Sequence, residues 1–427
     1  MGILSYIAIL GLLALWSLKR PAVALTAIIC MYSLEQWGQS SVPFLLTHRS
    51  FTNIAVGVIV LIAVMNTFLL KSKVKFLFTE VSIAIYALFI YAYISTYWSP
   101  AGDIAASLWR SSFPYTVTIV VFGPYLINTH FDIKRFTNSL MVVGPPLACF
   151  LMFFVEWQNR RILLGGTSYH DGLLGNPLTI GTFASILLIV CFFMVVDRYI
   201  KIQVLMRVVV AVLAVALIVT SGARGQLFAV IVVAYLFLPL IYRIRNVETF
   251  LGVGFVLLAM TALIFIAVIQ TGGDNIRWSS DEIVAAAGGR FNASLTMISH
   301  WYNSGIYTVA GLGNSASYSV LGIYPHNVMS EVLSEEGLIG ICIYFFILIR
   351  SGIAVKRCVD YSGTDKKSRR DIALIGGLFL FSFIISLKQG SMLFNPYFFM
   401  FAIIISRYEK LMRYNILKSS RSMITKL

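Results

Sequence analysis

The sequence predicts an all-α, polytopic integral membrane protein with about twelve to fourteen transmembrane helices. Of its 427 residues, 59% are hydrophobic and only 12% are charged, and its mean hydropathy is +0.85, values far from those of a soluble domain. Apolar runs long enough for a bilayer recur along the whole chain, and the alternating pattern of membrane β-strands is absent. Basic residues occupy the short segments between these runs, as they do in helical membrane proteins.

Thirteen apolar runs are candidate transmembrane helices, although several of them are short. We predict that they form a single membrane domain over residues 1–427, whose main extramembrane loop is residues 271–325. Because Lys19 and Arg20 follow the first run and no basic segment precedes it, we predict a retained helix rather than a cleaved signal peptide. The runs lie at residues 3–18, 21–36, 54–70, 79–97, 114–128, 137–155, 178–196, 207–222, 226–242, 249–270, 327–349, 371–387 and 393–406.

The distribution of positive charge predicts the orientation of the chain. Although a formal charge of +15 is compatible with nucleic-acid binding, 25 of the 33 basic residues lie in short clusters between apolar runs or in the two clusters near the C-terminus. This distribution argues against a nucleic-acid partner and marks the cytoplasmic side of a membrane. It predicts a cytoplasmic C-terminus, and the same parity places Met1 outside. The five cysteines lie in apolar runs or a basic loop, which suggests no disulfide framework.

The other eight basic residues are predicted to lie on the outer side or near outer helix ends, and seven of them are arginine. A guanidinium is permanently charged and matches two phosphate oxygens at once, so this bias predicts a phosphate-bearing ligand outside. Ion pairs with outer acids remain the ordinary alternative. The eight are Arg49, Arg110, Arg160, Arg161, Arg224, Arg277, Arg290 and Lys388, and the acids are Glu156, Asp171, Asp281 and Glu282.

The segment from Pro325 to Gly340 carries a cluster of polar residues into the start of the apolar run at 327–349. If it forms a helix from His326, with Pro325 in the first turn, one face carries His326, Ser330, Leu333, Gly337 and Gly340. The two glycines then allow close packing of a neighbouring helix, and His326 lies at the water interface. The simpler alternative is that His326 and Asn327 only cap a transmembrane helix.

Three further stretches are predicted to face the same side as His326. Asn176 and Pro177 open a helix after Arg160 and Arg161, and as a turn and helix start they favour a structural role. Arg224 lies in a very tight outer turn, where its charge favours a functional role. The main loop contains, in order, Arg290, Trp301 and the sequence Gly311-Leu312-Gly313-Asn314. Its aromatic residues either stack on sugars or anchor the chain at the interface.

The spacing His326-Asn327, nine residues, Gly337, two residues, Gly340 resembles the H-[NSQ]-x9-G-x-x-[GTY] pattern of bacterial O-antigen ligases, within the O-antigen ligase and polymerase superfamily. The order of the stretches around Asn176, Arg224, Arg290 and Trp301 is also similar to that superfamily. The resemblance covers about residues 175–400, whereas residues 1–150 match only in hydropathy.

This resemblance implies a GT-C-like architecture and an inverting, metal-independent glycosyltransferase of the bacterial inner membrane with its active face in the periplasm. Such enzymes transfer a polysaccharide from undecaprenyl diphosphate to lipid A core and use no cofactor, and their partners are membrane lipids rather than nucleic acid. His326 would be the catalytic base, and Arg224 and Arg290 would stabilise the leaving diphosphate. The substrate-binding residues would be Arg160, Arg161, Asn176, Trp301 and Asn327.

Two alternatives to a ligase remain, a polymerase and a transporter, whereas a structural membrane scaffold would leave the outer arginines without a reason. A polymerase shares the donor chemistry but adds the glycan to another lipid-linked repeat. A transporter of lipid-linked sugars is less favoured because it predicts broken or polar helices at the membrane midplane, where only Pro145-Pro146 qualifies. Metal-assisted catalysis is also less favoured, although Asp281 and Glu282 near His300 leave it open.

Overall fold

The structure, a computed structural model, describes residues 2–70, 78–165, 173–194, 200–242, 244, 246–256, 259 and 280–424, excluding the side chains of residues 2, 70, 200–202, 280–286 and 419–424. The predicted apolar run at 249–270 is therefore described only as far as Val256, apart from residue 259. Outside the described residues also lie Asp171, Arg277 and the side chains of Asp281 and Glu282.

The described chain is helical apart from one short hairpin. The helices are α1 (Gly2–Lys19), α2 (Val23–Ser41), α3 (Pro43–Thr47), α4 (Phe51–Met65), α5 (Glu80–Ser95), α6 (Gly102–Thr116), α7 (His130–Phe153), α8 (Pro177–Phe193), α9 (Ile200–Thr220), α10 (Arg224–Tyr242), α11 (Val247–Val256), α12 (Ser280–Tyr302), α13 (Tyr307–Ala310), α14 (Ser317–Leu321), α15 (Val328–Glu335), α16 (Gly337–Ser362), α17 (Lys366–Ser386) and α18 (Pro396–Ile424). The hairpin strands are β1 (Trp157–Gln158) and β2 (Arg161–Ile162).

Six helices in the described residues are long and apolar enough to cross a membrane, by length and composition. They retain large apolar side chains on their surfaces, such as Leu205, Val208 and Val212 of α9, each more than half exposed. A water-soluble protein rarely leaves so much contiguous apolar surface exposed, whereas a bilayer solvates it. The fold is therefore the all-α fold of a multi-pass membrane protein.

The chain divides into two compact units. The first contains Met1–Val74, Tyr125–Thr271 and Thr364–Phe381. At its centre is α2, which packs against α1, α4, α7 and α8 and has 15 of its 19 residues buried. Trp37 of α2 is fully enclosed and stacks on Phe150 of α7, with ring centroids 4.6 Å apart.

The second unit contains Lys75–Pro124, Gly272–Gly363 and Ser382–Leu427. Here α16 packs against α5 and α18, and α12 packs against α15. The core of this unit includes Phe398 and Phe399, which are both almost completely buried. The ring of Tyr344 in α16 lies beside that of Phe398, tilted by 33°, with centroids 5.5 Å apart. The unit therefore has its own apolar core beside the segment that contains His326.

Two of the differences from the predicted runs change how the helices are divided. The run predicted at 114–128 is part of a helix that begins at Gly102, because α6 continues into the π-helix Val117–Phe122. Its first two turns contain Asp103 and several small residues, which lower hydropathy without preventing helix formation. The prediction of a single helix at 327–349 was wrong, because the structure has two helices there, α15 and α16, which meet at Gly337.

Candidate functional site

Arg290, His326 and Asn327 line one pocket in the second unit, with a volume of about 410 Å³. We call it the His326 pocket. Arg290 and Ser294 come from α12, one helical turn apart and therefore on the same face. The hydroxyl of Ser330 on α15 donates a hydrogen bond to that of Ser294 at 3.1 Å and joins the two helices. The apolar side chains of the pocket include Leu295, Leu333, Ile341 and Phe345.

His326 lies immediately before α15 in an unusual backbone conformation, with φ of +60°. Few residues other than glycine adopt this left-handed conformation, and such strain is concentrated at functional sites. The imidazole contacts the ring of Tyr324 edge to face, with centroids 4.4 Å apart. It is half-buried, and among the described residues no hydrogen bond is made to either ring nitrogen. The ring therefore faces the pocket with both nitrogens available to a ligand.

Burial lowers the pKa of His326 below its ordinary value of 6.5, and the positive charge of Arg290 lowers it further. The imidazole is consequently neutral near pH 7 and can accept a proton. Arg290 itself is half-exposed and makes no ion pair or hydrogen bond with any described residue. The pocket thus combines a neutral base with an uncompensated guanidinium, which is suited to deprotonating a hydroxyl beside an anion.

Asn327 caps α15. Its side-chain oxygen accepts hydrogen bonds from the backbone N–H groups of Met329 at 3.0 Å and Ser330 at 3.3 Å. Asn327 therefore caps a helix, as the simpler of the two interpretations predicted, and it also lines the His326 pocket. Pro325 precedes this cap, so its predicted position in the first helical turn was wrong.

Residues 326–340 do not form the single helical face predicted for them, because the helix is interrupted at Gly337. Its φ is +68°, and a Cβ atom there would lie 2.4 Å from both the backbone nitrogen of Gly311 and the backbone oxygen of Val309. The close packing expected of Gly337 exists, against the backbone of Val309 in the short helix α13 and of Gly311, the first residue of the loop that follows α13. Because a left-handed residue cannot continue an α-helix, the predicted stack from His326 through Gly340 does not form.

The loop opposite Gly337 contains the predicted Gly311-Leu312-Gly313-Asn314 sequence, and we call residues 311–317 the glycine loop. Gly311 and Gly313 both have positive φ, and a Cβ on Gly313 would lie 2.5 Å from Cα of Ser99. The backbone N–H groups of Leu312 and Gly313 donate to the carbonyls of Ser334 and Glu335, each at 2.9 Å. These glycines are therefore needed for a close passage of the backbone beside the end of α15.

Three buried glutamates, which the sequence analysis did not single out, hold this region together. Both carboxylate oxygens of Glu335 accept backbone N–H groups of the glycine loop, from Ser315 at 2.6 Å and Ser317 at 3.0 Å. Glu336 accepts a hydrogen bond from the amide of Asn314 at 2.9 Å. Both oxygens of Glu331 accept the N–H of Met392, at 3.1 and 3.2 Å. All three side chains are at least 97% buried, at 3%, 1% and 0% exposure.

The glutamates have no basic partner within salt-bridge distance in the described residues. Burial raises the pKa of Glu335 to about 7, and burial together with the neighbouring carboxylates raises the pKa values of Glu331 and Glu336 well above 4.5. Because glutamates are usually exposed, the sequence does not predict that these three are buried. The one indication is their position beside the histidine motif and an apolar run.

Trp301 lies near the end of α12 and is half-buried. Its indole N–H donates to the carbonyl of Thr308 at 2.9 Å and so connects α12 to α13. Trp301 is not among the residues that line the His326 pocket. Its observed contact is therefore structural, while the indole faces remain the only part of the side chain suited to sugar stacking.

The remaining predicted site residues belong to the first unit. Asn176 caps α8, with its side-chain oxygen accepting the N–H of Leu178 at 3.0 Å, and Pro177 is the first helical residue as predicted. Gln36, which is buried at the end of α2, donates to the carbonyl of Asn176 at 3.0 Å and also to Thr179. Gln36 lies in a stretch of sequence without a recognisable motif, so its contact with Asn176 has no local signature.

Arg160 and Arg161 lie at the hairpin between α7 and α8. Asn159 and Arg160 both have positive φ, as a two-residue hairpin turn requires. The guanidinium of Arg160 donates to the carbonyls of Val219 and Thr220, at 3.3 and 3.4 Å, at the C-terminal end of α9. A cation there satisfies terminal carbonyls and favours the helix dipole. This contact gives Arg160 a structural role, while Arg161 is exposed.

Arg224 begins α10, only four residues after α9 ends at Thr220. The predicted tight turn is confirmed, and Gly222 enables it with φ of +63°. Ala223 packs closely on α8, since a Cβ atom on Gly181 would lie 2.2 Å from the Ala223 Cβ. Arg224 is half-buried at a helix N-terminus, where the helix dipole does not favour a cation. An anion-binding role for Arg224 stays a prediction.

Neither a protein-family model nor a curated protein matches the chain.

Proposed function

We propose that this chain is a bacterial inner-membrane glycosyltransferase of the O-antigen ligase type. It transfers a polysaccharide from undecaprenyl diphosphate to lipid A core at the periplasmic face. In this proposal the fold is GT-C-like with twelve to fourteen transmembrane helices and a cytoplasmic C-terminus. The observation that carries the proposal is the His326 pocket, in which a half-buried, neutral imidazole lies beside the guanidinium of Arg290.

The chemistry requires a base for the acceptor and a counter-charge for the leaving group. His326 accepts the proton of the acceptor hydroxyl as its oxygen attacks the anomeric carbon. The new glycosidic bond forms while the bond between that carbon and the phosphate oxygen breaks, and the electron pair leaves with the diphosphate. Because attack comes from the face opposite the leaving group, the anomeric configuration is inverted.

Arg290 stabilises the negative charge that develops on the diphosphate, because a guanidinium can bind two oxygens of one phosphate. Arg224 has the same role in the proposal, supported by the sequence pattern and by its place at a tight turn. Arginines thereby supply charge stabilisation that other enzymes take from a metal ion. The other proposed substrate contacts are Arg161, Asn176, Trp301 and Asn327. Arg160 is a less favoured substrate contact, because its guanidinium already donates to backbone carbonyls of the chain.

The proposal is tested by a transfer assay with the purified protein and an undecaprenyl-diphosphate-linked glycan, with EDTA present. Two acceptors are compared in parallel, lipid A core and a second lipid-linked repeat unit. Glycosylated lipid A core is the expected product. Lengthened lipid-linked glycan in its place would make the protein a polymerase. Movement of the donor across vesicles without any product would favour a transporter and overturn the proposal.

A further inference from the structure

A second and larger cavity lies in the second unit, between α5 and α6. Its volume is about 830 Å³, within the range of pockets that hold organic ligands. Its walls are mostly aromatic and aliphatic and include Phe89, Tyr93, Trp109 and Val117. We call it the Arg110 groove, because Arg110 is the one charged residue among those that line it.

The groove is built by the packing of rigid rings and by a change in helix type. Trp109 packs edge to face against Phe89 and Tyr93, with ring centroids 6.3 and 5.4 Å apart. Below these rings, α6 passes into the π-helix Val117–Phe122, a wider helix that is frequent at functional sites. The concave wall is therefore preformed and does not depend on flexible side chains.

Polar groups interrupt the apolar wall, namely Arg110, Thr96, Thr116 and the hydroxyls of three tyrosines. Arg110 is exposed, its guanidinium makes only a long hydrogen bond of 3.4 Å to the carbonyl of Ala106, and no carboxylate of the described chain pairs with it. Thr116 is only 7% exposed, and its hydroxyl has no hydrogen-bond partner within the described chain. The two residues are six positions apart, about 9 Å along a helix axis.

A permanently charged side chain beside an apolar groove is stabilised by an anion, and an enclosed hydroxyl is stabilised by a hydrogen-bond partner. The predicted orientation places the start of α6 outside, so Thr116 lies deeper in the membrane than Arg110. A phospholipid has its charge and its ester groups in the same order, with the phosphate outermost and the carbonyls one step deeper. One guanidinium also balances the single negative charge of a phosphodiester, whereas a diphosphate carries more charge.

We propose that the Arg110 groove binds one anionic phospholipid of the bilayer. Its phosphate is held by Arg110, an ester carbonyl accepts a hydrogen bond from Thr116, and an acyl chain lies along the aromatic wall. This binding site is separate in its residues from the His326 pocket, and it does not depend on the proposed glycosyl transfer.

Native mass spectrometry of the delipidated full-length protein, titrated with phosphatidylglycerol, tests this site. We expect one tightly bound phosphatidylglycerol per chain, and weaker binding of zwitterionic phosphatidylcholine. Arg110→Ala should weaken phosphatidylglycerol binding at least tenfold, because a charge-assisted hydrogen bond is lost. Ala106→Phe should block the groove, since Ala106 lines it, while Ser111→Phe on the same helix, outside the lining, serves as the control.

Unchanged binding in Arg110→Ala, a surface variant expected to fold normally, would overturn the proposal. So would equal binding by Ala106→Phe and Ser111→Phe, provided that both variants match the wild type in thermal unfolding. Displacement of phosphatidylglycerol by an equimolar polyprenyl phosphate would assign the groove to a different lipid and likewise overturn it.

Discussion

Glu335 accepts a hydrogen bond from the backbone N–H of Ser315 at 2.6 Å, and this bond fastens the glycine loop to the helix that begins beside His326. The bond connects the glycine loop to the segment from Pro325 to Gly340, and Glu335 lies two residues before the helix break at Gly337. A carboxylate can accept two N–H groups at once, and Glu335 uses both oxygens for the loop. The shape of the region around the His326 pocket thus depends on a buried acid as well as on the glycines.

The buried acid makes stability depend on pH. The pKa of Glu335 is raised from 4.5 to about 7, so between these values the folded protein binds a proton that the unfolded chain releases. The contribution of Glu335 to stability is therefore fully present below about pH 4.5 and decreases as pH rises towards about 7. The raised pKa values of Glu331 and Glu336 act in the same direction.

We expect the unfolding temperature of the detergent-solubilised protein to decrease as pH rises over this range. Glu335→Gln should reduce the slope of unfolding temperature against pH. Glu248→Gln, at an exposed position, is the control and should leave the slope as it is. Scanning fluorimetry across the pH range measures both. Equal slopes in Glu335→Gln and the wild type would show that the folded protein does not hold this proton on Glu335.

Gly337→Ala should destabilise the protein by several kcal/mol, on the order of other core overpacking and positive-φ substitutions. The added methyl group would lie 2.4 Å from the backbone of the glycine loop, in a conformation that alanine disfavours. Gly288→Ala is a matched control, because its Cβ meets nothing within 4 Å and helical alanine is favoured over glycine. Thermal unfolding of both variants checks this, and equal stability would contradict the left-handed turn at Gly337.

Asn327→Ala should cost about 1 kcal/mol of stability through the lost helix cap. Asn327→Ser should restore most of that loss, since serine also accepts N–H groups at a helix start. Measuring transfer in both variants separates the cap from substrate binding. If Asn327→Ser is as stable as the wild type but does not transfer glycan, Asn327 contacts the substrate in addition to capping α15.

Arg290→Lys should lower the transfer rate about tenfold to a hundredfold, because a point charge replaces a fork that binds two oxygens. Arg290→Gln should lower it further and should also raise the pKa of His326, since the Arg290 charge contributes to lowering it. The acid limb of the rate profile should accordingly move to higher pH in Arg290→Gln but not in Arg290→Lys. If the acid limb lies at the same pH in both variants, the charge of Arg290 does not affect the pKa of His326.

The sequence predicted the membrane class, the start of α8 at Asn176 and the tight turn before Arg224, because each depends on local hydropathy or turn chemistry. It failed at Gly337, because a packing glycine and a left-handed glycine look the same in sequence. It also missed Glu335 and Gln36, whose roles come from long-range contacts with residues 20 and 140 positions away. Such pairings follow from tertiary packing and have no local signature.

The most direct test of the proposed function is the rate of glycan transfer by His326→Ala in the purified system. Loss of the base should reduce the rate by a factor of about 10² to 10⁴, with thermal unfolding unchanged. His300→Ala is the matched control, because His300 is an exposed histidine of α12 outside the pocket, and it should transfer normally. Transfer by folded His326→Ala at the wild-type rate would contradict the assignment of His326 as the catalytic base.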